Sequence, residues 1–598
     1  MGQLMKRKDV KVEDTWAIED LYQTEADWEV AVKQMEADIK VIESYKGHLG
    51  DSGAKLLEFL DLNNELGINF SRIFSYAKRI VDVDTTNSHS QELSGRATLL
   101  SKKISEALAF DTPELLLISD EQLEKFYEEE KELLKYKRYI NEIRRRKVHT
   151  LSTEMEQLLA SSQAVGDTAN KAYTMFKNAD MEYPYITDDN GEEIQITQGR
   201  FITLLHNKNE RIRRETFKAF YNNLEKYKNT FATLYEGNVN ARIFNARARK
   251  YNSTLEAAVD GNNVPIQVYH NLINSVHKNM HYMHKYISLR KKLLNMDELH
   301  MYDVYMPIVK DADVSIPFDE AKNTVYEAMA PLGEEYQAVL KEAFTSRWID
   351  VYENEGKVSG AYNAGNYSTH PFVLMNYQGT LDNEFTLAHE MGHAMHSYLS
   401  SKNQIFVDSG YKIFVAEVAS TCNEALLMEY LLERTTDKYQ RAYLINYFLE
   451  QFRTTLYRQT MFAEFEMKTH EMAEAGVPLT AEKLSKLYYD LNVQYFGEDI
   501  TVDEEIAIEW ARIPHFYMNF YVYQYATSFA ASVSISKKLL HGGKEEVDNY
   551  LKFLSSGCTK PPVELLKDAG VDMTTAEPID SALQVFGRLI DELDSLLS

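Results

Sequence analysis

Three histidines and one glutamate stand within eleven residues in the segment TLAHEMGHAMH, residues 386–396. His389 and His393 are four positions apart, so on a helix their imidazole rings lie on the same face. This spacing lets both ring nitrogens bind one zinc ion. Glu390 lies beside that face, where it can accept a proton from a water molecule that the metal activates. The segment therefore predicts a metal-binding helix.

The residues around this motif favour a helix. Apolar residues recur at helical spacing from Phe385 to Leu399, and Asp382 and Asn383 are predicted to cap the N-terminus. A glycine inside a helix, here Gly392, costs about 1 kcal/mol relative to alanine. A purely structural helix has no evident need for this glycine, whereas a close backbone approach beside a buried ion requires one.

A catalytic zinc usually takes three protein ligands and leaves one position for water. His396 is one candidate, but three histidines from two turns of one helix rarely converge on one ion, so we place it behind the ligands or facing the substrate. Glu417 is the better candidate, because it lies on a predicted buried helix, FVAEVASTCNEALLMEYLLE, where a carboxylate needs a cation. An Arg or Lys partner is the alternative. Glu424, two turns further on, suits the orientation of a histidine ring.

The pair of motifs FTLAHEMGHAMHSYL and FVAEVASTCNE resembles the oligoendopeptidase F branch of the thimet oligopeptidase family of zinc metallopeptidases. The resemblance is strong from about residue 200 to 590 and looser in the N-terminal part. It implies that His389, His393 and Glu417 bind one zinc ion per chain and that Glu390 is the catalytic base. It also implies a helical, clam-like body with a deep channel that admits short peptides.

A second candidate group lies in IPHFYMNFYVYQYATSF. Helical spacing places Tyr517, Tyr521 and Tyr525 on one face, and the phenylalanines are interpreted as core residues. Buried hydroxyls need partners, and beside a peptide channel they can donate to substrate carbonyls or to the oxyanion. The resemblance implies a histidine and tyrosines with these roles. We predict His515 and Tyr525 as catalytic residues and, as substrate-binding residues, Tyr517, Tyr521 and Tyr523.

Two segments interrupt the helical pattern. EYPYITDDNGEEIQIT has turn residues between two short apolar runs and predicts a β-hairpin. Residues 347–380 alternate β-branched and aromatic runs with glycines, which predicts a small sheet directly before the metal helix. Its stretch GKVSGAYNAGNYS either adds a strand to the substrate backbone or forms an ordinary surface hairpin. We predict Gly360 in this stretch as a substrate-binding residue.

The bulk composition favours a mainly α fold, because 598 residues contain only 12 prolines and 25 glycines among long periodic stretches. We expect one large helical body with a small β element next to the metal helix. A soft boundary divides it into an N-terminal helical domain, residues 1–200, and a catalytic zinc metallopeptidase domain, residues 201–598.

The charge and the cysteine content argue against a nucleic-acid-binding protein and against a disulfide-bonded scaffold. The chain has 91 acidic and 65 basic residues and a net charge of −26, which repels nucleic acid. Its 2 cysteines do not form a disulfide framework and suit a reducing compartment. Neither a membrane-spanning run nor a signal peptide is evident. We expect a cytoplasmic protein without nucleic-acid or membrane partners, and the sequence leaves its oligomeric state open.

The predicted function is that of a zinc-dependent endopeptidase that hydrolyses internal bonds of short oligopeptides. One alternative is an exopeptidase, such as a dipeptidyl carboxypeptidase, built on the same site. A second is a peptide-binding protein that has lost catalysis, although such a protein has no use for Glu390. The cleavage-site preference and the maximum peptide length do not follow from the sequence.

Overall fold

The computed structural model describes residues 4–309 and 315–598 of the chain. Helices dominate, and the strands of these two ranges form one two-stranded and one three-stranded sheet. The predicted mainly α fold class is confirmed. Within the same ranges, every helix is too short or too polar to span a membrane.

The α-helices of the first half of the chain are short to medium in length, apart from a long second helix. They are α1 (Glu25–Glu43), α2 (Gly53–Val83), α3 (Ser88–Ala107), α4 (Asp111–Leu117), α5 (Asp120–Glu129), α6 (Lys137–Arg145), α7 (Thr153–Gly166), α8 (Thr168–Met175), α9 (Gln198–Leu205), α10 (Glu210–Glu225), α11 (Lys228–Ala248), α12 (Thr254–Asp260), α13 (Ile266–Lys278) and α14 (Met280–Leu293).

The second half contains the helices that carry the predicted site. They are α15 (Phe318–Ala328), α16 (Glu334–Thr345), α17 (Leu381–Asn403), α18 (Phe406–Ser409), α19 (Ile413–Arg434), α20 (Lys438–Gln451), α21 (Arg458–Glu474), α22 (Ala481–Phe496), α23 (Tyr523–His541), α24 (Lys544–Leu554), α25 (Pro562–Asp568) and α26 (Glu577–Leu597).

Shorter helical turns connect these elements. The 3₁₀ segments are Arg7–Asp9, Val12–Asp14, Ile18–Asp20, Lys131–Tyr136, Arg146–His149, Met301–Asp303, Ala330–Leu332, Glu504–Arg512 and Pro514–Tyr517. Two π-helical segments are Phe176–Asp180 and Phe452–Tyr457.

Both predicted β elements are present. β1 (Tyr185–Thr187) and β2 (Glu193–Gln195) form an antiparallel hairpin. β3 (Ile349–Asp350), β4 (Tyr362–Ala364) and β5 (Phe372–Leu374) form the second sheet in the order β3-β5-β4, with β5 parallel to β3 and antiparallel to β4. This sheet lies directly before α17 in the chain, as predicted.

The residues group into two compact units, each assembled from three segments. Unit 1 comprises Met1–Thr150, Val314–Leu427 and Ile535–Gly570, and unit 2 comprises Leu151–Asp313, Met428–Ser534 and Val571–Ser598. The predicted boundary near residue 200 lies inside the first segment of unit 2, and a division into domains at that position stays a prediction.

The core of unit 1 fixes the strand that precedes the metal helix. Trp28, Met35 and Ile42 of α1 recur every seven residues, which is about two helical turns, and all three are buried. They belong to the same apolar cluster as Phe372 and Leu374 of β5. The N-terminal helices and β5 therefore share one core, which anchors the chain just before α17.

Candidate metal centre and active site

The predicted metal-binding helix is α17, which begins at Leu381. Thr380 is its N-cap, and its side chain accepts a hydrogen bond from the Asn383 backbone N–H at 3.2 Å. The predicted cap at Asp382 and Asn383 is therefore wrong by two residues, because both residues lie in the first turn. The rest of the predicted helix, including the whole histidine motif, is helical.

The donor atoms of His389, His393 and Glu417 converge, all lying within 4.8 Å of one another. Glu417 Oε2 lies 3.4 Å from His389 Nε2 and 3.5 Å from His393 Nε2. A tetrahedral zinc ion with bonds of about 2.0–2.2 Å separates its ligand atoms by about 3.3–3.6 Å. The two distances from Glu417 match this range, and two imidazoles with one carboxylate are a donor set that zinc commonly takes.

Helices α17 and α19 approach so closely at Gly392 that no side chain fits there. A Cβ atom at this position would lie 2.6 Å from the Ala419 carbonyl oxygen and 2.6 Å from Ser420 Cα. This close crossing brings Glu417, one half-turn before Ala419, to the two histidines of α17. The glycine inside the motif thus serves the close backbone approach that the sequence indicated.

A buried asparagine joins the same two helices. Asn423 Nδ2 of α19 donates to the Ala388 carbonyl oxygen of α17 at 3.1 Å. Tyr336 of α16 in turn donates its hydroxyl to Asn423 Oδ1 at 3.1 Å. Sequence reasoning missed Asn423, since an amide in an apolar helix shows its partner only in the folded chain.

The charges of the groups around the three donor residues, His389, His393 and Glu417, favour a positive charge at the point where these residues meet. Burial lowers the pKa of His389, but hydrogen bonds with Glu417 and Glu424 outweigh burial and raise that pKa well above its usual value. Burial raises the pKa of Glu417, but hydrogen bonds from His389 and His393 outweigh it and hold that pKa far below its usual value. Glu424 contacts His389 Nδ1, which is the contact predicted for a ring-orienting residue.

Glu390 is a buried acid beside the donor atoms. Its side chain is 6 % exposed, and its Oε2 has no hydrogen-bond partner within the described part of the chain. Burial raises the pKa of Glu390, the two neighbouring histidines lower it, and Glu417 raises it again. A buried carboxylate oxygen without a protein partner suits an acceptor for a water proton.

His396 lies apart from this group. Its ring stacks on Tyr411 with centroids 3.7 Å apart and an interplanar angle of 5°, and Phe553 lies 5.4 Å away. The side chain is 1 % exposed, and burial lowers its pKa to about 3. Of the two positions considered for His396, the structure favours the one behind the predicted ligands over the one facing a substrate.

The glycine-rich stretch before the metal helix is held by side chains. Asn376 Nδ2 donates to the carbonyl oxygens of Gly360 at 2.8 Å and Val358 at 3.0 Å, and Gly360 has φ of +83°. Asn363 Nδ2 of β4 donates to Ser397 Oγ of α17 at 3.2 Å. β4 is an edge strand of its sheet, so one of its sides can accept another strand. The substrate-binding role of Gly360 stays a prediction.

The predicted tyrosine stripe on a single helix is wrong. The segment is a 3₁₀ turn, Pro514–Tyr517, followed by a bend and then by α23, which begins at Tyr523. Asn519 and Phe520 between them have φ of +53° and +58°. Residues on either side of this turn therefore do not follow one helical repeat.

The turn brings three of the five predicted residues together. The ring centroids of His515 and Tyr521 are 6.3 Å apart, those of His515 and Tyr525 6.1 Å, and those of Tyr521 and Tyr525 5.3 Å. All three side chains are partly exposed. We call these three residues the imidazole–tyrosine cluster.

Tyr517 and Tyr523 lie in the core instead. Tyr517 is 5 % exposed and stacks on Tyr173 with centroids 4.2 Å apart, and Tyr523 is 2 % exposed with its ring 5.0 Å from Tyr269. Their predicted contact with substrate stays a prediction.

A buried lysine acts on the imidazole of this cluster. Burial lowers the pKa of His515, and the positive charge of Lys177 lowers it further. Lys177 Nζ donates to the Arg512 carbonyl oxygen at 3.1 Å, and burial lowers the pKa of Lys177 to about 8. His515 is therefore neutral at pH 7. Sequence reasoning missed Lys177, which stands in an ordinary mixed stretch, YTMFKNAD.

Comparison with known proteins relates the whole chain to peptidases. The model of Peptidase family M3 matches residues 203–585, and that of Oligopeptidase F matches residues 114–183. Oligopeptidase PepF of Bacillus subtilis is 45 % identical over 596 residues, which is 100 % of this chain and 89 % of that protein. A crystal structure of oligoendopeptidase-F from Enterococcus faecium is 37 % identical with a TM-score of 0.74, covering 96 % of this chain and 99 % of that one. A crystal structure from Chlamydophila abortus is 36 % identical with a TM-score of 0.91, covering 99 % and 100 %.

Proposed function

The chain belongs to peptidase family M3, and on this premise we propose that it is a zinc-dependent endopeptidase acting on short oligopeptides. The predicted resemblance and the predicted class of enzyme, a metalloendopeptidase, are confirmed by the family match and the relatives. The observation that carries the proposal is the convergence of His389, His393 and Glu417 beside the buried Glu390.

Zinc is the proposed metal because two imidazoles and one carboxylate form a typical donor set of a catalytic zinc site, and the carboxylate lies 3.4 Å and 3.5 Å from the two imidazole nitrogens. When bound, zinc would polarise the scissile carbonyl and lower the pKa of the attacking water. His389 has to present Nε2 to the metal, and Glu424 favours this tautomer by accepting a hydrogen bond from Nδ1–H.

Glu390 is the proposed general base. Its Oε2 accepts a proton from the attacking water and then delivers that proton to the leaving amine. Both proton transfers are efficient when the pKa of the carboxyl group is near the working pH. Burial raises the pKa of Glu390 and so brings it closer to neutral pH.

His515 and Tyr525 are proposed to donate hydrogen bonds to the oxyanion that forms on the scissile carbonyl. A neutral imidazole has one N–H to donate, and the lowered pKa of His515 keeps its ring neutral at pH 7. Tyr521 is proposed to bind the peptide. The outer edge of β4 is proposed to bind it as well, with the peptide pairing as an added strand.

The products of a peptide mixture of graded length, identified by mass spectrometry, test this function. An endopeptidase releases internal fragments from peptides below a length limit. An exopeptidase on the same site releases dipeptides stepwise from one end, and a protein that has lost catalysis binds peptides without products. Release of dipeptides alone would replace the endopeptidase proposal by the exopeptidase one.

A cytoplasmic location is also proposed, because Cys422 and Cys558 are free thiols, as is usual in a reducing compartment. Cell fractionation with an antibody against the chain tests this location, and recovery of the protein outside the cytoplasmic fraction would contradict it.

A further inference from the structure

Two consecutive non-glycine residues of unit 2 adopt left-handed backbone conformations. They are Asn519, with φ of +53°, and Phe520, with φ of +58°. Asparagine tolerates this region, but a bulky aromatic residue rarely enters it. Such strain persists only where surrounding groups hold the backbone, and it is concentrated at functional sites. The turn therefore needs an anchor.

Glu466 of α21 supplies that anchor. The Phe520 backbone N–H donates to Glu466 Oε1 at 2.6 Å, and the Glu466 side chain is fully buried. The Phe520 ring lies between His470, with centroids 4.6 Å apart, and Tyr269, with centroids 5.8 Å apart. Phe520 is thus held at both its backbone and its ring.

The turn decides which side chains meet. On a continuous α-helix, His515 and Tyr521 would be about 240° apart around the axis and about 9 Å apart along it. In the structure their rings are nearly parallel, with centroids 6.3 Å apart. The left-handed turn interrupts the helical repeat between them, and it thereby allows the imidazole–tyrosine cluster to form.

We propose that Glu466 is a positioning residue of the peptidase, because it holds the turn that aligns His515 with Tyr521 and Tyr525. This inference rests on the proposed function, since the role of the cluster in catalysis is part of that function.

A purely structural role does not explain an acid at this position. An apolar side chain would fill the same volume without the cost of burying a carboxyl group. Glu466 Oε2 has no hydrogen-bond partner among the residues that the structure describes, so the hydrogen bond that this side chain makes is the one with the Phe520 N–H. Burial raises the pKa of Glu466 to about 8, while the Phe520 N–H and Arg242 lower it. The raised pKa favours the neutral carboxyl group, whose size and shape glutamine closely matches.

Three variants of the full-length enzyme test the proposal. Glu466→Met fills the volume but cannot accept the hydrogen bond, whereas Glu466→Gln can. Glu464→Met is the matched control, because Glu464 is an equally buried acid on the same helix that bonds instead to His277 and Tyr495. The measurements are kcat and KM on a quenched peptide, and hydrogen–deuterium exchange of residues 516–522.

Misalignment of catalytic groups by about 1 Å costs roughly 100-fold in rate. We expect Glu466→Met to lower kcat by about 10- to 100-fold with KM changed by less than about threefold, and to speed amide exchange in residues 516–522. Glu466→Gln and Glu464→Met should keep kcat within about threefold of the wild type and leave that exchange unchanged.

The proposal is overturned if Glu466→Met keeps the wild-type kcat, or if Glu464→Met loses as much kcat as Glu466→Met. Unchanged exchange in residues 516–522 of Glu466→Met also overturns it. Should Glu466→Met not fold, Glu466→Asp replaces it with the same expectations, since its carboxyl is withdrawn by one methylene. Failure of the proposed function is distinct, because it appears as an inactive wild-type enzyme.

Discussion

Gly392 of α17 lies directly against the carbonyl group of Ala419 in α19, and a Cβ on Gly392 would lie 2.6 Å from that oxygen. His393 follows Gly392, and Glu417 precedes Ala419 by two residues. The contact that allows the helices to cross therefore also sets the distance between two of the proposed metal ligands. The absence of one side chain is part of the geometry of the site.

Gly392→Ala tests this relationship. The added methyl group must push the helices apart, and such overpacking costs about 1–3 kcal/mol of stability. We expect a lower melting temperature together with weaker zinc binding, measured by titration with a competing chelator. Gly95→Ala is the control, because a Cβ on this exposed glycine of α3 meets no atom within 4 Å. It should stabilise the protein by up to about 1 kcal/mol. Unchanged zinc affinity in Gly392→Ala would contradict the prediction.

Metal content is the second prediction. We expect one zinc ion per chain, loss of activity with chelators, and recovery when zinc is restored. Glu424→Gln should lower zinc affinity by about 10- to 100-fold, because Glu424 only orients a ligand ring. Glu417→Gln removes the charged ligand itself and should lower zinc affinity further. Metal analysis of the purified variants measures both. Unchanged affinity in Glu417→Gln would move the third ligand to another residue.

Glu390→Gln separates metal binding from chemistry. The substitution keeps the size of the side chain and leaves His389 and His393 in place, so zinc content and fold should be preserved. Without the base, turnover should fall by at least about 10²–10⁴-fold. Peptide hydrolysis and metal content are measured on the same sample, and activity within tenfold of the wild type would show that Glu390 is not the base.

Tyr525→Phe tests the imidazole–tyrosine cluster. A hydroxyl that donates to the oxyanion acts mainly in the transition state, so kcat should fall by roughly 10²–10³-fold with little change in KM. The control is Tyr457→Phe, which removes a buried hydroxyl that donates to the Asn279 carbonyl oxygen at 2.9 Å. This variant should lose about 1–3 kcal/mol of stability and keep its kcat. Equal losses of kcat in the two variants would return Tyr525 to a packing role.

The last prediction concerns pH. Glu384 in the first turn of α17 is 2 % exposed, and burial raises its pKa to about 7. Because this pKa exceeds the usual glutamate value of 4.5, the folded state binds more protons than the unfolded state between these two pH values. The contribution of Glu384 to stability is therefore present at low pH and is lost as pH rises from about 4.5 to about 7.

Glu384→Gln removes this titration. The variant should gain stability relative to the wild type by about 1–3 kcal/mol between pH 5 and pH 8. Melting temperatures of both proteins at the two pH values measure the difference. A constant difference across this range would contradict the raised pKa of Glu384.

The sequence predicted correctly those features that depend on residues close together in the chain. His389, Glu390 and His393 follow from spacing alone, because a helical repeat puts both histidines on one face whatever surrounds them. The hairpin and the small sheet followed from local turn residues in the same way. Glu417 required a further argument, since only its burial on an apolar helix indicated that it needed a cation.

The prediction of a tyrosine stripe was wrong because it also assumed that local spacing along one helix decides which side chains meet. Helical spacing from Tyr517 to Tyr525 ignored a turn that has no glycine or proline to mark it. That turn depends on Glu466, more than fifty residues away in the chain. The acid itself was a visible signal, since it stands in the apolar run MFAEFEM, but nothing in that run identified its partner.

The sequence by itself thus determined the mainly α class and identified the proposed metal ligands that the structure brings together. The tertiary structure decided the distances: how closely α17 and α19 cross at Gly392, and which rings meet around His515. The physical reason is that periodicity fixes which face a side chain occupies on its own helix. The separation of two faces depends instead on contacts between segments far apart in the chain, such as Gly392 with Ala419 and Phe520 with Glu466.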